Sequence, residues 1–164
     1  MRIISKSSFL RKFAIYTGVF LFISMILTFV STKLPERYYR YNSWMYKERN
    51  WEKGGEFYQD KFKVRAWKKK LPELADFIKS IFPKKFIKEF QGEFIAKYLM
   101  ESCKAEFTHW SIIFSTVIFL IFDGITAFIS MLFLAIILNF PFIIIQRYNR
   151  PRIISIMKHK GTEV

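Results

Sequence analysis

The chain has 164 residues, 52% of them apolar and 20% aromatic, and carries a net charge of +14. A membrane protein with basic segments in water combines these properties readily, whereas a soluble domain seldom does. There is no zinc-finger spacing or RNA-binding signature, which argues against nucleic acid as a partner. With one cysteine and two histidines, the sequence excludes a disulfide framework and predicts no metal site.

The first segment, residues 1–30, is predicted to be an N-terminal membrane anchor. A short basic stretch precedes Phe13–Val30, which is uncharged and about as long as the shortest bilayer-spanning helices. A basic start before an apolar run is also typical of a cleaved signal peptide. This run is long for a signal peptide and lacks a good small-residue cleavage site. The uncleaved anchor is therefore the first expectation, and cleavage is the alternative.

Residues 31–109 form a basic, aromatic-rich segment that contains most of the lysines, arginines and acids of the chain. Tryptophan, tyrosine and lysine together are typical of the lipid headgroup level. Apolar residues spaced three and four apart predict two amphipathic helices, one from Leu71 to Phe82 and one from Ile87 to Leu99. These helices are predicted either to lie at the membrane interface or to pack together as a small helical domain.

Residues 110–145 form an apolar membrane region in which Asp123 is the one charged residue. About 20 residues suffice to cross a bilayer, so a single helix here would be too long. We expect a turn at residues 123–124, between a short arm (110–122) and a longer spanning arm (125–145). The short arm is expected either to span, if its helix starts near Cys103, or to enter the membrane and return. Asn139 and Pro141 predict a kink, at which the asparagine can bond a freed backbone group.

Together these patterns predict a mainly α fold. The expected protein is a small multi-pass membrane protein with an anchor helix, a basic amphipathic central segment and a C-terminal apolar helical pair. Residues 146–164 form a basic tail, and short basic flanks favour the cytoplasm, which predicts a cytoplasmic C-terminus. The N-terminus is also basic, and both ends can be cytoplasmic only if the number of spans is even.

Glu106 and His109 are the candidate catalytic residues. They lie three positions apart, on one face of a predicted helix at the edge of the apolar region. A carboxylate beside an imidazole can fix its tautomer and raise its basicity, which suits removal of a proton from an alcohol. The alternative is that His109 only anchors the chain at the interface, beside Trp110.

A second candidate site lies in the tail, where Arg147, Tyr148, Asn149 and Arg150 follow the apolar region. Guanidinium groups bind phosphate or carboxylate oxygens in a bidentate manner, so an anionic lipid headgroup or a nucleotide-type phosphate on a thioester donor would satisfy them. The alternative is that these charges only snorkel to the membrane surface.

Several short runs, in this order and at this chain length, resemble the glycosyl-4,4'-diaponeurosporenoate acyltransferases, small bacterial membrane enzymes of staphyloxanthin-type carotenoid synthesis. The runs are Leu34–Tyr38, Asn50–Gly55, Val64–Lys68, Glu106 with His109 and Trp110, Asn139–Pro141, and Gln146–Arg152. The resemblance extends from about Leu34 into the tail, and the closing run is its most specific part.

The resemblance implies that the chain esterifies the sugar 6-hydroxyl of a glycosylated C30 carotenoid acid with a fatty acid, as the last step of pigment synthesis. His109 would then remove the hydroxyl proton and Glu106 would orient the imidazole. Arg147, Asn149 and Arg150 would hold the anionic donor or the developing oxyanion.

The implied donor is a fatty acyl thioester on an unknown carrier, with no other cofactor. The implied location is the bacterial cell membrane, and the implied partners are the lipid bilayer and a complex with other pigment-synthesis enzymes. The alternative function is a non-catalytic basic scaffold or lipid-binding protein at the membrane surface.

Overall fold

The protein is described here by a computed structural model that covers residues 6–71 and 92–159. Its α-helices are α1 (Lys6–Lys33), α2 (Glu56–Phe62), α3 (Val64–Trp67), α4 (Gly92–Ser115) and α5 (Ile118–His159). Three short 3-10 helices lie at Glu36–Tyr39, Asn50–Gly55 and Lys68–Lys70. Within these two ranges all regular structure is helical, so the prediction of a mainly α fold is confirmed.

The chain divides into two compact units, each built from two separate stretches of sequence. The apolar unit comprises residues 1–34 and 107–141, and the polar unit comprises residues 35–106 and 142–164. The four-segment division at residues 30, 109 and 145 stays a prediction.

Two helical stretches are long and apolar enough to cross a membrane. They are Leu10–Lys33, with 24 residues, and Ile118–Ser155, with 38 residues. Large apolar side chains on both are exposed, including Phe29 at 63% and Phe133 at 66%. Such surfaces are unfavourable in water and favourable against lipid. The predicted small α-helical membrane protein, with apolar helices near both termini, is thereby confirmed.

The hydroxyl groups of α1 bond to backbone carbonyls of the same helix. The Thr17 hydroxyl donates to the Phe13 carbonyl at 2.9 Å, and the Ser24 hydroxyl donates to the Phe20 carbonyl at 2.7 Å. The Thr28 hydroxyl donates to the Ser24 carbonyl at 2.8 Å. These bonds satisfy donors for which the hydrocarbon region offers no water.

Within the apolar unit, α1 is bonded near both of its ends. Lys12 Nζ lies 3.0 Å from Asp123 Oδ1, and the Thr108 hydroxyl donates to the Ser31 hydroxyl at 2.7 Å. About 28 Å of helix separate Lys12 from Ser31, close to the roughly 30 Å of a bilayer core. Lys12 and Asp123 thus mark one end of this unit, and Ser31 and Thr108 mark the other.

Helix α5 is interrupted at Asp123 and Gly124, the residues at which the sequence predicts a turn. Asp123 has φ −140° and ψ 15°, and Gly124 has φ 78° and ψ −169°. Side chains with a Cβ avoid the second conformation, which explains the glycine. The predicted short arm (110–122) contains residues of two helices, because α4 ends at Ser115 and α5 begins at Ile118.

The polar unit has its own apolar core, formed in part by α4 and the end of α5. Ile95 and Leu99 of α4 pack with Met157 of α5. Leu99 belongs to the second predicted amphipathic stripe, and this part of the stripe is buried inside the unit. Tyr98 of the same stripe packs against this cluster. Ile87 and Phe90, and all of the first stripe except Leu71, fall on residues 72–91, which lie outside the described residues.

A second cluster of the polar unit contains Tyr58, Val64 and Tyr148. Gly55 lies directly against it: a Cβ placed on Gly55 would lie 2.7 Å from the carbonyl oxygen of Tyr148. Gly55 also has φ +88°, which disfavours any side chain. Both features predict that this position requires glycine.

Replacing Gly55 with alanine is expected to destabilise the polar unit by about 1–3 kcal/mol, because strain and a backbone clash coincide. The thermal midpoint of the purified protein in detergent measures the effect. Gly54→Ala is the matched control, since Gly54 has φ +66° but no atom within 4 Å of its Cβ position. Equal midpoints for the two variants would show that the close approach to Tyr148 has no energetic weight.

Candidate functional site

His109 is bonded to Asn139 inside the apolar unit. Nδ1 of the ring lies 2.8 Å from the side-chain oxygen of Asn139. Asn139 ends a buried stripe of α5 that repeats every four residues through Ala127, Met131 and Ala135. The small alanines let helices approach closely, and the stripe directs Asn139 into the unit.

The hydrogen bonds of Asn139 determine the tautomer of His109. The Asn139 amide nitrogen donates to the Ala135 carbonyl at 2.9 Å, so the amide oxygen is the atom that faces the ring. An oxygen acceptor at this position requires the proton on Nδ1, which places the lone pair on Nε2. His109 is therefore held in the tautomer that a general base needs.

Burial lowers the pKa of His109 below its ordinary value of 6.5, and the hydrogen bond with Asn139 offsets part of that effect. Removal from water disfavours the charged imidazolium. The imidazole is consequently neutral at pH 7 and able to accept a proton.

In the polar unit, Glu106 is fully buried and forms ion pairs with two arginines. Its Oε1 lies 2.6 Å from Arg147 Nε, and its Oε2 lies 2.7 Å from Arg150 Nη2. Both arginines come from the end of α5, while Glu106 lies on α4. The pairing ties together the two sequence stretches of this unit.

A second buried carboxylate, Glu52, extends this cluster. Its Oε2 lies 3.6 Å from Arg147 Nη1, and its Oε1 accepts a hydrogen bond from the Tyr58 hydroxyl. Two carboxylates thus face two guanidinium groups, so the buried charges balance. Balanced and hydrogen-bonded charges are the arrangement in which burial is tolerated.

Protein acceptors occupy all three nitrogens of each guanidinium group. Arg147 also donates to the carbonyls of Met45 and Lys47, and Arg150 donates to the Tyr46 carbonyl and to Ser102. The guanidinium groups that the sequence predicts to bind a substrate anion are therefore hydrogen-bonded within the protein. They hold the loop around residues 45–47 in place, and substrate binding by Arg147 and Arg150 stays a prediction.

The other two residues of the predicted binding set also have partners within the polar unit. The buried Tyr148 accepts a hydrogen bond at its hydroxyl from Arg65 Nε, at 2.9 Å. Asn149 accepts one at its amide oxygen from Lys68 Nζ, at 3.1 Å. The structure therefore brings Arg65 and Lys68 to this part of the tail.

Glu106 and His109 lie on the same helix, α4, as predicted. The atom that bonds Nδ1 of His109 belongs to Asn139, and the carboxylate of Glu106 bonds two arginines. The sequence prediction gave the orienting role to Glu106; in the structure the side chain that bonds Nδ1 of the ring is that of Asn139. Catalysis by His109 and by Glu106 stays a prediction.

Cys103 lies one turn before Glu106 and is completely buried. Burial raises the pKa of its thiol to about 11, so the reactive thiolate is scarce at neutral pH. This argues against a cysteine nucleophile and leaves His109 as the best candidate for proton transfer.

Comparison with known proteins identifies the family. The sequence matches the family described as glycosyl-4,4'-diaponeurosporenoate acyltransferase over residues 42–159. A protein of that name from Staphylococcus aureus strain Newman is 33% identical over 144 residues, covering 86% of this chain and 87% of that protein. Another, from strain COL, is 32% identical with the same coverage. This chain belongs to the glycosyl-4,4'-diaponeurosporenoate acyltransferase family.

The region matched to the acyltransferase family contains both clusters described above, from Glu52 to Arg150. No solved structure matches the chain significantly. The geometry of His109 and Asn139, and of the buried charges, therefore has no experimental counterpart among the comparisons.

Sequence reasoning missed two residues of these clusters as functional candidates, Asn139 and Glu52. The four-residue spacing from Ala127 to Asn139 could have shown that this polar group points inward. No local signal could have linked Glu52 to Arg147, because the two lie far apart in the sequence.

Proposed function

We propose that this protein transfers a fatty acyl group to the sugar 6-hydroxyl of a glycosylated C30 carotenoid acid, as its family name suggests. The observation that carries the proposal is His109, neutral and fixed by Asn139 with its lone pair on Nε2. A general base of this kind is what an alcohol needs to attack an acyl carbonyl. Family membership supports the substrate class, and it does not favour the non-catalytic scaffold.

In the proposed reaction, Nε2 of His109 takes the proton of the sugar hydroxyl as its oxygen attacks the acyl carbonyl carbon. The new carbon–oxygen bond forms, and the carbon–sulfur bond of the thioester donor breaks. The imidazolium then returns its proton to the leaving thiolate. Asn139 acts as a positioning residue, since it holds the ring in the required tautomer and orientation.

Glu106 supports the reaction indirectly in this scheme. By neutralising Arg147 and Arg150, it fixes the end of α5 and the loop around residues 45–47. We propose no further cofactor, and a complex with other pigment-synthesis enzymes remains compatible with the proposal.

The proposed location is the bacterial cell membrane, crossed more than once, with the C-terminal tail in the cytoplasm. Two helical stretches, Leu10–Lys33 and Ile118–Ser155, are long and apolar enough to cross a bilayer. The lysines and arginines of residues 146–164 favour the cytoplasmic side for the tail.

The test is to express the chain in cells that make the glycosylated pigment but lack its acylation. Mass spectrometry of the extracted pigment should show the added mass of one fatty acyl unit. The controls are cells that do not express the protein and cells that express His109→Ala, which is expected to lack the activity while still reaching the membrane. Pigment of unchanged mass, with wild-type protein present in membranes, would rule out the proposed activity.

As the pH is lowered, the rate of ester formation is expected to decline only below pH 6.5. The pKa of His109 is lowered in the folded protein, so the base keeps its lone pair as the pH falls through 6.5. The stability of the folded protein depends on pH in the same direction. As the pH falls, His109 binds a proton in the unfolded chain before it does so in the folded protein, so the contribution of His109 to the free energy of unfolding is complete above pH 6.5 and is lost below it.

Measuring initial rates and thermal midpoints from pH 8 to pH 5 checks both statements. A rate that halves at or above pH 6.5 would contradict the assignment of His109 as a buried base.

A further inference from the structure

Three cations converge on the side chain of Tyr148 in the polar unit. Arg65 Nε donates to the Tyr148 hydroxyl at 2.9 Å, and Lys68 Nζ lies 5.2 Å from the centre of the ring. The guanidinium carbon of Arg152 lies 4.9 Å from the same centre. These distances lie within the range of cation–π attraction, so the ring helps to hold like charges close together.

Tyr148 provides a rigid base for these cations. Its ring is 2% exposed and packs in the apolar cluster with Tyr58, Val64 and Ile144. The Tyr148 hydroxyl accepts a hydrogen bond from Arg65 and still has its own proton to donate. Among the described residues, none accepts that proton. A buried donor beside three cations is arranged for an anion.

Arg65 and Arg152 carry charges that no acidic side chain offsets within the described part of the chain. No acidic side chain there pairs with Arg65 or Arg152, in contrast to Arg147 and Arg150, which face Glu52 and Glu106. Lys69 and Lys70 follow Lys68 directly and are exposed. Because Arg65, Lys68 and Arg152 all contact Tyr148, an oxyanion that binds beside this residue is stabilised by several positive charges.

We propose that Arg65, Lys68, Arg152 and the Tyr148 hydroxyl form a phosphate-binding site that holds the phosphate of the acyl donor. That the phosphate belongs to an acyl donor rests on the proposed acyltransferase activity, whereas the binding of phosphate rests on these four residues alone. The proposed anion site differs from the one predicted in the tail, because the guanidinium nitrogens of Arg147 and Arg150 already donate to acceptors within the protein. Tyr148 and Asn149 remain part of it, the latter through Lys68.

Two kinds of acyl donor carry a suitable phosphate. One is a nucleotide-type thioester, whose carbon–sulfur bond breaks as the sugar ester forms and whose thiolate takes the proton. The other is a phospholipid, whose carbon–oxygen ester bond breaks and whose freed alkoxide takes the proton. Both present a dianionic or monoanionic phosphate, which arginine and lysine bind through charge-assisted hydrogen bonds.

The experiment measures binding by the full-length protein in zwitterionic detergent or in nanodiscs. In one arm, coenzyme A is titrated by calorimetry against pantetheine, which has the same thiol arm without phosphate. In the other arm, thermal midpoints are compared in nanodiscs with phosphatidylglycerol and in nanodiscs with diacylglycerol. The arm that responds identifies the source of the phosphate.

The double variant Arg65→Gln/Arg152→Gln is expected to weaken phosphate-dependent binding by about tenfold or more, since each lost bond to a charged group is worth roughly that factor. Arg65→Lys/Arg152→Lys should retain most of the binding because the charges remain. The matched control is Arg37→Gln/Lys61→Gln, which removes two exposed cations, one of them 5.2 Å from the ring centre of Tyr38.

The proposal would be overturned if the double glutamine variant bound as tightly as the wild type in both arms. It would also be overturned if the control variant lost as much binding as the double glutamine variant. If the double glutamine variant unfolds, Lys68→Gln takes its place: binding equal to that of the wild type in both arms would again overturn the proposal. Calorimetry and thermal midpoints do not need turnover, so phosphate binding without pigment acylation would refute the proposed reaction and leave this site intact.

Discussion

Replacing His109 with alanine is expected to lower the rate of ester formation by a factor of about 10² or more. The imidazole is buried, neutral and held by Asn139 with its lone pair on Nε2, so its removal eliminates the proton acceptor for the sugar hydroxyl. The rate is measured from pigment mass in membranes with equal amounts of protein. His159→Ala, at the chain's other histidine, is the control and should retain normal rates.

A variant at Asn139 separates a positioning role from a purely structural one. Asn139→Ala frees the ring to adopt the other tautomer, which should lower the rate and shift the acid limb of the pH profile. A purely structural role would lower the amount of folded protein and leave the pH profile of the remainder unchanged. Near-normal ester formation by well-expressed His109→Ala protein would remove His109 from the mechanism.

Replacing Glu106 with alanine is expected to destabilise the polar unit by about 3–5 kcal/mol. Glu106 is fully buried and neutralises Arg147 and Arg150, so its loss leaves buried positive charge with too few partners. Thermal or denaturant unfolding of the purified protein in detergent measures the loss. Protein yield in the membrane should fall with it.

Glu101→Ala is the matched control for Glu106, because both residues lie on α4. Glu101 pairs with Lys104 at 2.7 Å but is partly exposed, so its removal should cost less than about 1 kcal/mol. A Glu106→Ala protein as stable as the Glu101→Ala protein would show that the buried ion pairs contribute nothing. A stable Glu106→Gln protein without activity would instead indicate that Glu106 takes part in catalysis.

The parts of the fold that depend on local composition could be predicted from the sequence. Long apolar runs favour helices in lipid wherever they occur, so the two apolar helices were predicted and confirmed. Asp123 and Gly124 interrupt α5 because their own backbone preferences disfavour continuation. Which distant stretches form one unit was not predictable, since residues 35–106 and 142–164 share no local pattern.

The same distinction holds for the candidate site. His109 and Glu106 were singled out by a short spacing on one helix, which is local information. Their partners, Asn139 for one and Arg147 and Arg150 for the other, lie 30 or more residues away. A single sequence does not encode such pairings visibly, because any of many arginines could neutralise a buried carboxylate.

The composition of the polar unit has a consequence for biosynthesis. Glu52 and Glu106 are translated well before Arg147 and Arg150, the cations that neutralise them. A chain that stops after Pro141 would keep the apolar stretches needed for insertion, yet its two acids would lack these counter-ions. Maturation must therefore wait until Arg147 and Arg150 have been synthesised, and a nonsense mutation just after Pro141 should be as damaging as one much earlier in the chain.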